Sequence, residues 1–470
     1  MPNTNSPQWL WPVLVLLLRL LPAAAQSPGK MLTLPDAWQI AEAHYQLLQA
    51  KENYVKASAE DVQTAKKDAL PDFTLSAENA YGTLNGMNGL PSGQPGITTL
   101  TAGPATADQT WNAAFGALYV SNIDWNIYSF GLQRAHVAAA RGQNEQDMAD
   151  LRQEQFRQQV RVAGAYLDLL AAQRLVMAME DNLQRAAQLR DIIINRTAGG
   201  LNPGVDSSLA NAELSRARLS LIDARNYEQK QAEQLTEQLG VSPQDFILDS
   251  AFAVSLPKNI ADTLAGAITQ HPFLQYLDSR VKTSDLLANY LYKSGLPRIS
   301  FFGVMQDRGS GFGGNYAVDQ ANYSNGYFNG VNPVRTNYLA GIGITWDVTG
   351  FSKARSRVAS QHWHSAGLRN EYNLEQNQLT NQLALANRQM SDALSKYNET
   401  PIQLHSAMDA YAQKEALYEN GLTNLVDVAQ TLFILNRAEI DRDVACNAVW
   451  QALLQQAGAA GDMNLFVKQF

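Results

Sequence analysis

Between residues 111 and 128 the chain alternates between two faces. Trp111, Ala113, Phe115, Ala117, Tyr119, Ser121, Ile123 and Trp125 fall on one side; Asn112, Ala114, Gly116, Leu118, Val120, Asn122 and Asp124 fall on the other. A period of two marks a β-strand. A strand buried in an ordinary core has no need of two tryptophans and a tyrosine spaced along one face. A strand facing lipid does, because aromatic rings sit well at the membrane–water boundary. Gly131 then punctuates the chain and a helical pattern follows. The same passage returns at 337–348, with Tyr338, Ala340, Ile342, Ile344 and Trp346 on one face. Trp346 stands in the second passage where Trp125 stands in the first.

The step from Trp125 to Trp346 organises the whole chain. The same step carries Gly200-Leu201 onto Gly421-Leu422 and Val205-Asp206 onto Val426-Asp427. A slightly longer step carries Leu47-Leu48-Gln49 onto Phe273-Leu274-Gln275, and Leu70-Pro71 onto Leu296-Pro297. The difference falls in the strand–loop–strand region, where loops tolerate insertion. The chain reads as a tandem duplication, 26–250 and 251–457, with a tail at 458–470. Each half runs helix, strand, long loop, strand, very long helix, tight breaker, helix. Strands are expected at about 72–81, 111–128, 298–306 and 337–348. Long helices are expected at 132–195, 206–239, 353–418 and 426–456, with an earlier helix over 34–67. The stripe Leu379, Leu383, Ala386, Met390, Ala393 and Tyr397 steps by fours and threes, the mark of a packed helix near the coiled-coil repeat. Pro401 should kink or break that helix.

The N-terminus carries an apolar run from Trp9 to Leu21, interrupted by Arg19 and followed by Ala23-Ala24-Ala25. This is the pattern of a signal peptide over 1–25. Beyond it no continuous run of about 18 apolar residues occurs, so no transmembrane helix is expected. The net charge is −8, with no basic surplus to suit nucleic acid. Cys446 is the only cysteine and lies in a helical pattern, where a small buried side chain is expected rather than a reactive thiol. An exported chain with lipid-facing strands points to a bacterial outer membrane.

Four antiparallel strands cannot close a membrane barrel, whose smallest examples have about eight. An open edge would leave backbone groups unpaired in lipid. The chain must therefore oligomerise, two to four copies sufficing, with polar faces such as Asp72, Thr74, Ser76 and Asn122 lining a wet lumen. A periplasmic coiled-coil adaptor or scaffold without a pore is the alternative, but such a protein has no use for aromatic lipid faces.

The repeat, the passages DWNIYSFG (124–131) and TWDVTGFS (345–352) leading into helices, and the turn-helix GLTNLVDVAQTLFILNRAEIDRDVACNAV (421–449) resemble the TolC outer-membrane efflux protein family. The resemblance covers the chain after the signal peptide. It implies a mainly α fold with membrane β-structure: a homotrimer whose 12-stranded outer-membrane barrel continues into a long periplasmic α-helical barrel. It further implies an export duct that meets a periplasmic adaptor and an inner-membrane efflux pump or ABC exporter. The family often places two acids one turn apart after the second breaker. Here the first is Asp427 and the second position is Gln430.

Asp206 and Asp427 each stand at a helix start, where they either cap the helix against its dipole or, by the resemblance, narrow the periplasmic gate together with Gln430. Gly199, Gly200, Leu201, Asn202, Pro203 and Gly204, with Gly421, Leu422, Thr423 and Asn424, form the two turns; by resemblance these tips contact the adaptor. Trp111, Tyr119, Trp125, Tyr338 and Trp346 are expected at the membrane interface. His362 and His364 are two apart on a helix and diverge by about 200°, so they do not converge on a metal. Neither a metal nor a cofactor is expected, and no nucleophile–base or paired-carboxylate constellation suggests an enzyme.

Overall fold

The computed structural model describes residues 31–86, 104–200, 203–257 and 268–469. The expected signal peptide, Leu201, Asn202 and most of the loop at 82–105 lie outside these. The elements are α1 (Leu34–His44), α2 (Gln46–Lys67), β1 (Asp72–Thr83), β2 (Ala113–Tyr128), α3 (Leu132–Ala198) and α4 (Gly204–Leu239). They continue with α5 (Ala251–Val254), α6 (Pro272–Ser294), β3 (Arg298–Ser310), α7 (Tyr327–Val331), β4 (Arg335–Thr345), α8 (Val348–Glu419), α9 (Leu425–Ala460) and α10 (Asn464–Val467).

The turns of the two halves match in geometry. Gly200 and Gly421 both take φ +73°. Gly240 and Gly461, related by the same step along the chain, take +69° and +75°. The ends of α8, α4 and α9 share one hydrogen-bond pattern. Leu422 N–H reaches Leu417 O, Val241 N–H reaches Thr236 O and Asp462 N–H reaches Ala457 O, each closing the helix around a left-handed glycine.

Several boundaries differ from the sequence reading. The helix expected over 34–67 is two helices, because Tyr45 is extended (ψ 112°) and serves as the N-cap of α2. His271, which takes the place of Tyr45 in the second repeat, caps α6. The second strand starts at Ala113, leaving Trp111 outside it and 84% exposed. β4 spans Arg335–Thr345, so Trp346 follows it rather than lying within it, and β3 runs on to Ser310. Pro401 does not break α8, which is helical throughout. Proline removes the N–H that would bond the Tyr397 carbonyl, and the Thr400 hydroxyl donates to that carbonyl instead, at 2.8 Å.

The four strands form one antiparallel sheet in the order β1-β2-β3-β4. Its register aligns the faces across all four. One face carries the rows Phe73–Ile123–Gly303–Ala340 and Leu75–Ser121–Met305–Tyr338, with Trp125–Phe301–Ile342 beside them. The other carries Thr74–Asn122–Val304–Leu339, Ser76–Val120–Gln306–Asn337 and Glu78–Leu118–Arg308–Arg335. Phe302 falls on this second face without spoiling it. Its ring lies across a gap left by two glycines of β4, where a Cβ on Gly341 would come within 2.7 Å of the ring. β1 and β4 are the edges, and β1 is exposed along its length.

The chain divides into two compact units, each drawing on both repeats. One holds the chain up to Ala41, Val162–Leu256 and Ser395–Trp450. Here α3 contains a stretch long and apolar enough to cross a membrane, more than the sequence reading expected. Its Val162, Ala163, Tyr166, Leu167 and Leu169 are buried by packing within the unit. Tyr166 donates to Leu32 O at 2.8 Å, Trp450 donates to Ser255 O at 2.9 Å, and Phe252 meets both rings edge-on. Cys446 is buried in the same unit. The other unit holds Glu42–Arg161, Pro257–Leu394 and Gln451–Phe470, and so contains the sheet. Leu379, Ala386, Met390 and Ala393 of the α8 stripe are buried in it. His271, which periodicity gave no reason to select, joins two of its elements. The ring accepts from Phe273 N–H at 3.1 Å through Nδ1, caps α6, and donates from Nε2 to Gly458 O at 3.1 Å.

Candidate functional site

The turns that close the two long hairpins share one cluster in the first unit. Leu189, Ile193 and Ala210 from α3 and α4 pack with Tyr418 of α8 and Leu425, Val428 and Leu432 of α9. Arg196 donates to the Glu419 carbonyl at 2.8 Å and lies over the Tyr418 ring. Both tips are thus tied together near the ends of α3 and α8.

Asp427 sits in the first turn of α9, but it is not the cap. Asn424 fills that role, its side-chain oxygen accepting from Asp427 N–H at 2.9 Å. The Asp427 carboxylate instead receives Lys414 Nζ from α8 and the Thr423 hydroxyl, both at 2.8 Å. The lysine first, then the hydroxyl, holds the Asp427 carboxyl below the usual carboxylate range. Lys414 precedes Asp427 on the far side of the turn, a spacing without meaning until the chain reverses at Gly421. Asp206 occupies the first turn of α4, whose N-cap is Pro203 and lacks a side-chain hydrogen bond. Gln430 is exposed one turn beyond Asp427. Leu422, Val426 and Val205 are 72%, 61% and 60% exposed, an unusual display of aliphatic side chains at helix ends. Among the described residues no group of histidine, cysteine, aspartate and glutamate is arranged to hold a metal.

In the sheet unit, Trp125 and Trp346 lie at the end of the strands next to the helices. Their indole nitrogens donate to Ala69 O and Gly295 O. Tyr119 and Tyr338 stand toward the other end of the same face, and Tyr119 OH donates to Asn79 Oδ1 and Val331 O at 3.3 Å. Trp125 and Tyr119 are six residues apart, roughly 20 Å along a strand, a little less than the height of a membrane barrel's apolar band.

The outer membrane efflux protein family matches residues 37–241, the first repeat, whose element order and turn geometry the second repeat reproduces. The match covers the first half of the chain and shows that this part is similar to the family. Solved outer-membrane channels share the fold. VceC of Vibrio cholerae superimposes with a TM-score of 0.69 over 91% of this chain and 96% of its own, at 16% identity. The CmeC channel of Campylobacter jejuni gives 0.70 over 98% and 94% at 14% identity. The open-state MtrE channel of Neisseria gonorrhoeae gives 0.70 over 91% and 89% at 13% identity. No curated protein sequence matches the chain.

The family matched by residues 37–241 is one of channel proteins, not of enzymes. Of the residues selected from sequence, the tip residues Gly199, Gly200, Pro203, Gly204 and 421–424 stand at the hairpin ends. Lys414 and Arg196, which join those ends, carried no sequence signal.

Proposed function

We propose that three copies of this chain form an export duct: their sheets close into one 12-stranded barrel, and their helices continue it through the periplasm. The observation that carries this reading is the sheet itself. A mostly apolar face extends across all four strands, while β1 and β4 are the edges. Such a face belongs in lipid, and such edges are stable there only when paired with those of another copy. Family members work with a periplasmic adaptor and an inner-membrane pump, and we assign this chain the same kind of partners, an efflux pump or an ABC exporter among them. The exposed aliphatic side chains at Leu422, Val426 and Val205 suit the adaptor contact. The gate lies at the same tips, around Asp427, with Asp206 and Gln430 beside it. Mass measurement of the detergent-solubilised protein should give three chains; a monomer would overturn the architecture. Tags inserted near Gly313 should be reachable on intact cells, whereas a reachable tag at the C-terminus would overturn the orientation.

A further inference from the structure

The polar face of the sheet carries two cross-strand pairs of like charge. Arg308 on β3 lies directly opposite Arg335 on β4, and Asp72 on β1 lies directly opposite Asp124 on β2. Like charges in this position disfavour strand pairing. Arg308 and Arg335 are both exposed, and among the described residues neither guanidinium has an ion-pair partner.

The nearby acids are accounted for. Glu78 shares the row but is separated from Arg308 by Leu118. Asp307 is on the opposite face, where its carboxylate accepts from Thr336. Asp319 caps the Ala321 N–H. Residues 87–103, between β1 and β2, contain no charged side chain. Part of the segment joining β3 to β4 lies over the apolar face, where the Tyr327 ring meets Phe115 and a Cβ on Gly309 would strike Gly330 O. Another part reaches the polar face at the end of β2, where Asn112 donates to Gln320 O. The segment leaves both arginines exposed.

We infer that Arg308 and Arg335 form an anion site in the outer end of the lumen, which attracts solutes bearing phosphate or carboxylate groups. The inference rests on the trimeric duct proposed above, in which three copies bring six guanidiniums to one ring. The planar fork of each guanidinium matches a phosphate or carboxylate edge, and rings of like charge in a narrow pore set which ions it passes. The Asp72–Asp124 row passes through Phe302, six residues before Arg308 on β3, which is roughly 20 Å along the strand. The polar face thus carries an acidic pair toward the helices, with Arg298 two rows beyond it, and an arginine pair toward the mouth.

The test uses the full protein in planar bilayers of zwitterionic phosphatidylcholine, where no lipid anion is present. Reversal potentials in a potassium chloride gradient give the ion preference, and inorganic tripolyphosphate added on the loop side probes block. R308Q/R335Q should shift the permeability ratio toward potassium by about twofold or more and relieve the block. D72N/D124N should shift the ratio the other way. R308K/R335K keeps the charge and should keep the wild-type preference; if it behaves like R308Q/R335Q, charge is not the cause and the inference fails. Pores whose preference and block are unchanged in R308Q/R335Q overturn the inference and leave the duct reading intact, as when an acid of a neighbouring copy neutralises the pair. If none of these proteins forms a pore, the duct reading falls and the anion site with it.

Discussion

Trp346 Nε1 donates to the carbonyl of Gly295 at 3.2 Å, and Trp125 makes the same bond to Ala69 at 2.9 Å. Donors and acceptors occupy matching places in the two halves of the chain, so both halves make the same contact. Each joins the inner end of a strand to the last turn before the strand preceding it. Ala69 and Gly295 lie just ahead of Leu70-Pro71 and Leu296-Pro297, where proline ends the helix and cannot itself close the chain. The indole therefore does two things: its ring suits the membrane boundary, and its N–H holds a carbonyl at the helix end.

These two roles separate in Trp125→Phe and Trp346→Phe, which keep a ring and lose the donor. Each substitution should lower the stability of the solubilised protein by about 1 kcal/mol, the ordinary worth of one hydrogen bond. Melting of the two single variants and the double variant checks this. The two sites share no partner, so their effects should add.

The sequence revealed the repeat because the matching residues are those that fix geometry: Trp125 and Trp346, Gly200 and Gly421, Leu-Pro after the first helix of each half. It also gave the faces of the sheet, since a period of two survives any choice of partner strand. Contacts made by the folded chain between distant residues were not readable. Lys414 reaches Asp427 only after the turn at Gly421, and Arg196 reaches the other hairpin's Glu419 carbonyl. The break at Tyr45 was hidden because apolar spacing continues across it. The two compact units cut across the repeats, because burial follows contacts in space and not the order of duplication.

At the tips, Lys414 and Asp427 join the end of α8 to the start of α9. Asp427→Ala and Lys414→Ala both break that tie and should both change conductance in planar bilayers while leaving the proposed trimer assembled. Because the Asp427 pKa is lowered from 3.8, the pair's contribution is complete above that value and fades only as pH falls through the lowered pKa. The difference between wild type and Asp427→Ala should therefore be constant from about pH 5 to pH 8. A sharp fall in melting temperature with unchanged conductance would reduce the pair to a structural tie and remove it from the gate.

His271 behaves in the opposite range. Burial lowers its pKa below the ordinary 6.5 by taking the charged ring out of water, against the opposing hydrogen bond to the Gly458 carbonyl. The unfolded chain then binds the extra proton, so stability is fully present above 6.5 and declines as pH falls from there through the lowered value. Arg157 and Glu375 line the same groove as His271. His271→Asn offers a side-chain oxygen for the same cap without a titrating ring. Its melting temperature should vary less than that of wild type between about pH 7 and pH 5. Equal pH slopes in the two proteins would show that another group carries the effect.

At Pro401 one hydroxyl stands in for the missing backbone donor of α8. Thr400 is 6% exposed, and its Oγ1 takes over the Tyr397 carbonyl that proline leaves without a backbone donor. Thr400→Val keeps the shape of the side chain and removes the donor, so the carbonyl loses its partner inside the helix. That should cost about 1–3 kcal/mol, the penalty for an unpaired buried group. Pro401→Ala restores the N–H and removes the ring that crowds the same turn. In the Pro401→Ala background the backbone serves the carbonyl, and Thr400→Val should cost far less. A double-mutant cycle measured by urea unfolding tests this: the coupling between the two positions should exceed about 1 kcal/mol. Additive effects would mean that the hydroxyl does not substitute for the missing N–H, and that packing on both sides of Pro401 keeps α8 helical without it.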